Sequence, residues 1–204
     1  MESTNRKAEQ SQVTRAALLR VARNLFGERG YNGASREEVV ARAGVTRGAL
    51  QYHFGRKEDL FRAVFDDEER TVGLKVAATA FAYDDPWERL KAGCQAFLDA
   101  CQDPAMQRIM LWDAPAVLGE AVCHDTNPQH SYGMMRAGLR AAIYSDTITD
   151  GALDALARMV YGAINEAAML ITNADEVQTT RDDAGAAIEL LLNGLRISTQ
   201  KSPG

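Results

Sequence analysis

Between Ser35 and Phe54 the chain fits two short helical patterns around a single glycine, and few folds accept that spacing. Ser35-Arg36-Glu37-Glu38 has the form of a capping box, with Ser35 as N-cap and Glu38 three residues on. Gly44, directly after Ala43, is a helix stop. Thr46 can then cap a second helix, with Val45 and Leu50 at the two positions of a hydrophobic staple. The reading is a helix over 35–43, a turn at Gly44-Val45 and a helix over 46–54, which is the spacing of a helix-turn-helix. A turn this short makes the two helices cross steeply, so the second can project into a groove.

Helical periodicity continues on both sides. Ala17, Leu18, Val21, Ala22, Leu25 and Phe26 recur at three- and four-residue steps ahead of Gly30, which should stop that helix. After Gly55, Lys57 opens a longer helix reaching about Ala82. Asp85-Pro86 and Asp103-Pro104 are N-cap-plus-proline starts for helices over about 86–102 and 104–112. Pro115, Gly119, Asn127 and Pro128 interrupt the next stretch, and helices follow over about 131–145, 150–173 and 180–197. Alternating apolar and polar runs bounded by turns are absent. The expected fold is therefore all-α.

Charge separates the two ends of the chain. Residues 1–62 hold twelve Lys/Arg against seven Asp/Glu, a net +5, and the other 142 residues carry −10, which together give the net charge of −5. A basic head on an acidic body points to nucleic acid at the head. No apolar run approaches the ~18 residues needed to cross a bilayer, and the polar opening MESTNRKAEQSQ has no secretory h-region. A cytoplasmic protein with no membrane partner is expected. Cys94 and Cys101 lie about 10.5 Å apart along one predicted helix, too far for a disulfide, and read with Cys123 as free thiols.

The run LFGERGYNGASREEVVARAGVTRGALQYHFGRKEDLF, residues 25 to 61, resembles the TetR family of bacterial transcriptional regulators. AGVTRGAL, then YHF, then KEDLF match that family's recognition helix and the start of its fourth helix in order and spacing. Two positions depart from the pattern: Gln51 stands where the family usually carries a tyrosine, and Val40 where a small alanine is common. The resemblance implies a three-helix DNA-binding domain over 1–56, including an N-terminal arm. A larger ligand-binding and dimerisation domain would follow over 57–204, with a polar tail from about 198. The partners it implies are double-stranded DNA with a palindromic operator, a small-molecule effector and a second copy of the chain. The function is then that of a homodimeric repressor released by its ligand.

Physical chemistry distributes roles within the motif. Arg47 suits a bidentate contact to guanine, and Gln51 can read adenine or donate to a phosphate. Gly48 lets a backbone approach closely. Thr46, Tyr52 and Lys57 are candidates for phosphate, as are Ser35 and Arg36 on the preceding helix. His53 reads as packing, and Arg6 and Lys7 could reach a minor groove.

In the larger domain, Leu153, Leu156, Val160, Ala163, Ala167 and Leu170 form one apolar stripe, and Ile188, Leu191, Leu192 and Leu195 another, suited to a two-fold four-helix interface. Phe97, Met106, Met110, Trp112, Tyr132, Met134, Met135 and Tyr161 are candidates to line a pocket for an apolar or amphipathic effector. Asn165 is its polar candidate, while Glu166 is expected to be exposed or paired. Cys123, His124 and His130 match no established metal spacing, and no nucleophile–base constellation or phosphate loop stands out, so neither cofactor nor enzyme is expected. Two rival readings remain, a helical protein-interaction module and an enzyme with an ancillary DNA-binding head.

Overall fold

Ser35, Thr46 and Asp85 each cap a helix in the computed structural model. The oxygen of Ser35 accepts from the amide of Glu38, that of Thr46 from Ala49, and the Asp85 carboxylate from Trp87 and Glu88. The structure describes residues 2–196 apart from 126, 128 and 150, and for residues 2–5 and 7 it describes the backbone alone. The polar tail from 198, Pro128 and the Lys7 side chain lie outside the described residues.

The chain is all-α among the described residues. Its helices are α1 (Glu2–Gly33), α2 (Arg36–Ala43), α3 (Arg47–His53), α4 (Lys57–Ala80) and α5 (Pro86–Ala100), then the short α6 (Pro104–Met106), α7 (Ala114–Leu118) and α8 (Glu120–Cys123), and finally α9 (Ser131–Tyr144), α10 (Leu153–Thr172) and α11 (Val177–Asn193). No helix among the described residues is long and apolar enough to cross a membrane. The backbone is already helical from Glu2, so the segment read as an arm forms the first turns of α1.

Two units result. One comprises the chain as far as Glu68 together with Pro104–Cys123. Leu18, Ala22, Leu25 and Phe26 of α1 are buried in it, as are Leu50, Phe54 and the Leu60, Phe61, Val64 and Phe65 face of early α4. Phe26, Tyr31 and Phe61 stack and tilt against one another at ring separations of 5.1–6.0 Å. Gly30 breaks α1 with a φ of +70°, a conformation that glycine adopts without strain. The amide of Tyr31, past the break, donates to Asp113 at 2.6 Å.

That contact belongs to a segment whose shape differs from the expected helix over 104–112. Three α-helical residues give way to a π-helical stretch over Gln107–Asp113, in which Ala114 donates back to Ile109. The wider turn lies just before Pro115, where an α-helical register would press the proline ring on the carbonyl of Leu111. Ile109 and Met110 are buried, and Gly27 admits Ala105 so closely that a Cβ there would lie 2.4 Å from the alanine methyl.

The second unit comprises Glu69–Asp103 and the chain from His124 onward. Here α5 packs on α9 and α11, and α10 on α9 and α11. The start of α9 has no side-chain cap of its own. Glu69 of α4, only 1 % exposed, supplies one by accepting from the Ser131 amide and hydroxyl at 2.7 Å each. Arg181 of α11 donates to Asp99 and Gln95 of α5. Helix α4 runs through both units, its first half in one and its second in the other.

Candidate nucleic-acid interface

Gly44 sits in the left-handed region (φ 66°, ψ 31°), and its amide bonds back to Ala41 and Val40, closing α2 in time for Thr46 to start α3. Leu50 and Phe54 anchor the inner side of α3, so Thr46, Arg47, Gly48, Gln51 and Tyr52 remain on its exposed side. Arg47 and Tyr52 are each 80 % exposed. The Ser35 and Thr46 oxygens accept from helix amides, which leaves both hydroxyl protons for an outside acceptor such as a phosphate. The Glu38 carboxylate turns to Arg29 and Arg42, tying α2 to α1.

A shallow cleft of about 300 Å³ opens between α2 and α3, with Val40 and Leu50 among its walls and Arg47, Gly48 and Gln51 on its α3 side. A Cβ built on Gly48 would meet only the Thr46 hydroxyl, at 3.8 Å, so nothing inside the protein requires glycine there. Glu37, which the sequence reading passed over, lies 3.8 Å from Arg47 across this cleft. Its position seven residues before the C-cap glycine Gly44 carries no motif, so pairing with Arg47 was visible only in three dimensions.

Two candidates are engaged within the protein. Arg36 donates to the carbonyls of Gly55 and Phe54 at 2.5 and 3.0 Å and to Oε1 of Gln51 at 2.9 Å. Lys57 is half-buried, with Nζ 4.4 Å from the centre of the Tyr31 ring, and burial pulls its pKa down while Asp113 opposes that shift. His53 packs between Tyr52 and Phe54. At the start of α4, Asp59 accepts from the Arg56 side chain and amide, which holds its carboxyl below the ordinary range.

The candidate effector residues divide between the units. Phe97, Tyr132 and Tyr161 converge, with Tyr161 at 6.4 Å from Phe97 and 5.3 Å from Tyr132. His124 joins them at 5.2 Å from Tyr132 and 5.8 Å from Tyr161, a role the sequence did not signal because a loop histidine has no periodicity. Met134 is half-buried and Met135 buried on α9, and Asn165 lies one turn beyond Tyr161 with a buried, unpartnered Oδ1. Met106, Met110 and Trp112 belong to the other unit, where the two methionines are buried and Trp112 is 47 % exposed.

On α10 and α11 the stripes read from the sequence are partly consumed by the chain's own core. Ile188 and Leu192 are buried, Leu153, Leu156, Val160 and Leu195 half-buried, and Leu191 is 59 % exposed. Met159 and Leu170 of α10 and Leu190 of α11 are exposed as well, and so is Glu166. Burial drives the Cys94 thiol up to about 12 and raises Cys101 as well, so neither is a reactive thiolate near neutrality.

Comparison with known proteins places this geometry. Residues 8–64 match the family described as bacterial regulatory proteins, tetR family, and residues 87–195 match the tetracyclin repressor-like C-terminal domain. The HTH-type transcriptional regulator AcrR of Shigella flexneri is 42 % identical over 65 residues, covering 32 % of this chain and 30 % of that protein. The HTH-type transcriptional repressor BepR of Brucella suis is 35 % identical over 109 residues, covering 51 % of this chain and 50 % of its own length. These two alignments thus span half or less of the relatives' lengths. A crystal structure of a TetR-family transcriptional regulator from Pectobacterium atrosepticum is 34 % identical, covers 93 % of this chain and 97 % of its own, and superposes with a TM-score of 0.73.

Proposed function

The chain belongs to the TetR family of bacterial regulatory proteins, with a DNA-binding N-terminal domain, and from that premise we propose that it is a cytoplasmic homodimeric repressor released from a palindromic operator by a small molecule. The observation that carries the DNA-reading part is the outward face of α3, where Arg47, Gly48, Gln51 and Tyr52 stand exposed on a helix whose inner side is locked by Leu50 and Phe54. Arg47 is the guanine reader and Tyr52, with the Ser35 and Thr46 hydroxyls, contacts phosphate.

Met159, Leu170, Leu190 and Leu191 support a second copy docking on α10 and α11, because four large exposed apolar side chains on adjacent helices are costly in water. The pair would present two α3 helices to half-sites about one DNA turn apart. The Phe97–Tyr132–Tyr161 ring group with His124 and the unpartnered Asn165 oxygen supports an effector that is flat, largely apolar and carries a hydrogen-bond donor. Such a ligand represses binding only by its preference for one dimer geometry, and a hundredfold release needs about 2.7 kcal/mol of differential affinity. Helix α4, which runs through both units, carries the coupling.

In vitro selection of genomic fragments by the purified protein tests this reading. Enrichment of a short palindrome, abolished by Arg47→Ala and weakened by the dimer-breaking Leu190→Glu, is expected. Uniform, salt-sensitive binding indifferent to Arg47→Ala would refute it.

A further inference from the structure

Arg36 is the first residue of α2, and its guanidinium reaches Gln51 of α3 and the chain just past that helix. Nη1 donates to the Gly55 carbonyl at 2.5 Å, and Nη2 donates to the Phe54 carbonyl at 3.0 Å and to Oε1 of Gln51 at 2.9 Å. Phe54 is the extended C-cap of α3 and Gly55 follows it, so Arg36 fastens the chain leaving the recognition helix to the start of the preceding one.

The third bond has a consequence for DNA reading. A guanidinium has donors and no acceptor, so only the oxygen of the Gln51 amide can face it. With that oxygen turned to Arg36, the end of Gln51 left to face outward is its NH₂ group, a donor. The two-bond pattern for adenine requires the oxygen to accept from N6 while the NH₂ donates to N7. An oxygen held 2.9 Å from the Arg36 guanidinium is not free to swing toward N6 while the NH₂ reaches N7.

We propose that Arg36 is a positioning residue that holds Gln51 as a donor-only contact to an acceptor on the operator, a phosphate oxygen or a purine N7. It is not itself a phosphate ligand. The proposal rests on the operator-binding reading above. It replaces two assignments made from the sequence, Arg36 as a backbone grip and Gln51 as an adenine reader.

The test is a double-mutant cycle on the full-length protein, using the operator obtained by selection and fluorescence anisotropy at several salt concentrations. Arg36→Lys keeps the charge and loses the fork. A direct phosphate contact would survive this change, whereas the positioning role predicts a loss of about tenfold in affinity, the scale of one charge-assisted hydrogen bond. In the Gln51→Ala background, Arg36→Lys should cost less than in the wild type, by the part that acts through Gln51. Gln51→Ala leaves the two carbonyl bonds of Arg36 in place and keeps the cycle interpretable. Arg36→Gln repeats it without the charge, and serves should the lysine variant melt early.

Equal loss for every DNA sequence on Gln51→Ala, with a salt slope unchanged by Arg36→Gln, identifies a phosphate as the acceptor. Loss confined to one base position identifies a purine. Either supports the proposal. Wild-type affinity in Arg36→Lys, or additive losses in the cycle run with Arg36→Gln together with a salt slope reduced by about one, would overturn it. Absence of any selected operator would remove the underlying reading, and that outcome is distinct because it appears in the wild-type protein.

Discussion

Replacing Gly48 by alanine should move stability and DNA affinity in opposite directions. Gly48 is the second residue of α3, its φ is not positive, and an added Cβ would find only the Thr46 hydroxyl at 3.8 Å, an ordinary van der Waals distance. The free protein therefore accepts the methyl without movement. Alanine gains helix propensity and restricts the unfolded chain, together about 0.5–1 kcal/mol. For a chain of this size that raises the melting temperature by about 1–4 °C.

The same methyl projects from the exposed face between Thr46 and Gln51. If the α3 backbone there approaches a base edge closely, the methyl pushes the helix outward and lengthens the neighbouring contacts of Arg47. Losing one well-aligned base contact costs about 1–3 kcal/mol, a factor of about 5 to 150 in operator affinity. Thermal melting monitored by circular dichroism reads the first effect, and anisotropy with a fluorescent operator at fixed salt reads the second. A variant that melts higher and binds as well as the wild type would refute close approach at Gly48. One that melts lower would refute the claim that the site is open.

Two further expectations concern the scaffold. Gly27→Val should destabilise by about 1–3 kcal/mol, because even the first carbon would lie 2.4 Å from the Ala105 methyl; an unchanged melting temperature would show that the 104–113 segment does not dock on α1 as described. Glu69→Ala leaves the buried Ser131 amide and hydroxyl without their acceptor, a cost of about 1–3 kcal/mol read by urea denaturation, and a variant as stable as the wild type would remove Glu69 as the cap of α9.

What was legible in the chain was what neighbours decide. Ser35, Thr46 and Asp85 cap helices because a short polar side chain meets amides two or three residues on, and that geometry repeats wherever the residues do. Gly30 and Gly44 mark breaks for the same local reason. The helical character of the chain and the outward face of α3 followed from periodicity. The π-helical stretch over Gln107–Asp113 did not, because it depends on Pro115 and on a docking partner some eighty residues away in α1. Arg36 reaches fifteen to nineteen residues along the chain to Gln51, Phe54 and Gly55, a link that no spacing rule encodes. On α10 the apolar stripe was visible, but it is wider than either the core or a partner needs. Which edge remains outside, Met159 and Leu170 in place of Leu153 and Leu156, depends on how α10 rotates against α9 and α11.

Two of the three bonds made by Arg36 go to main-chain carbonyls, groups that every amino acid supplies. A clamp addressed to the backbone is indifferent to the letters written on the helix it holds. Arg47, Gly48 and Tyr52 can therefore be exchanged in evolution or in the laboratory without disturbing the means by which α3 is fixed to α2. Gln51 is the exception, since its exchange also discards a bond. New operator sequences should thus be reached most readily through the three unclamped positions, and libraries that vary them while keeping Arg36 and Gln51 are the economical place to look.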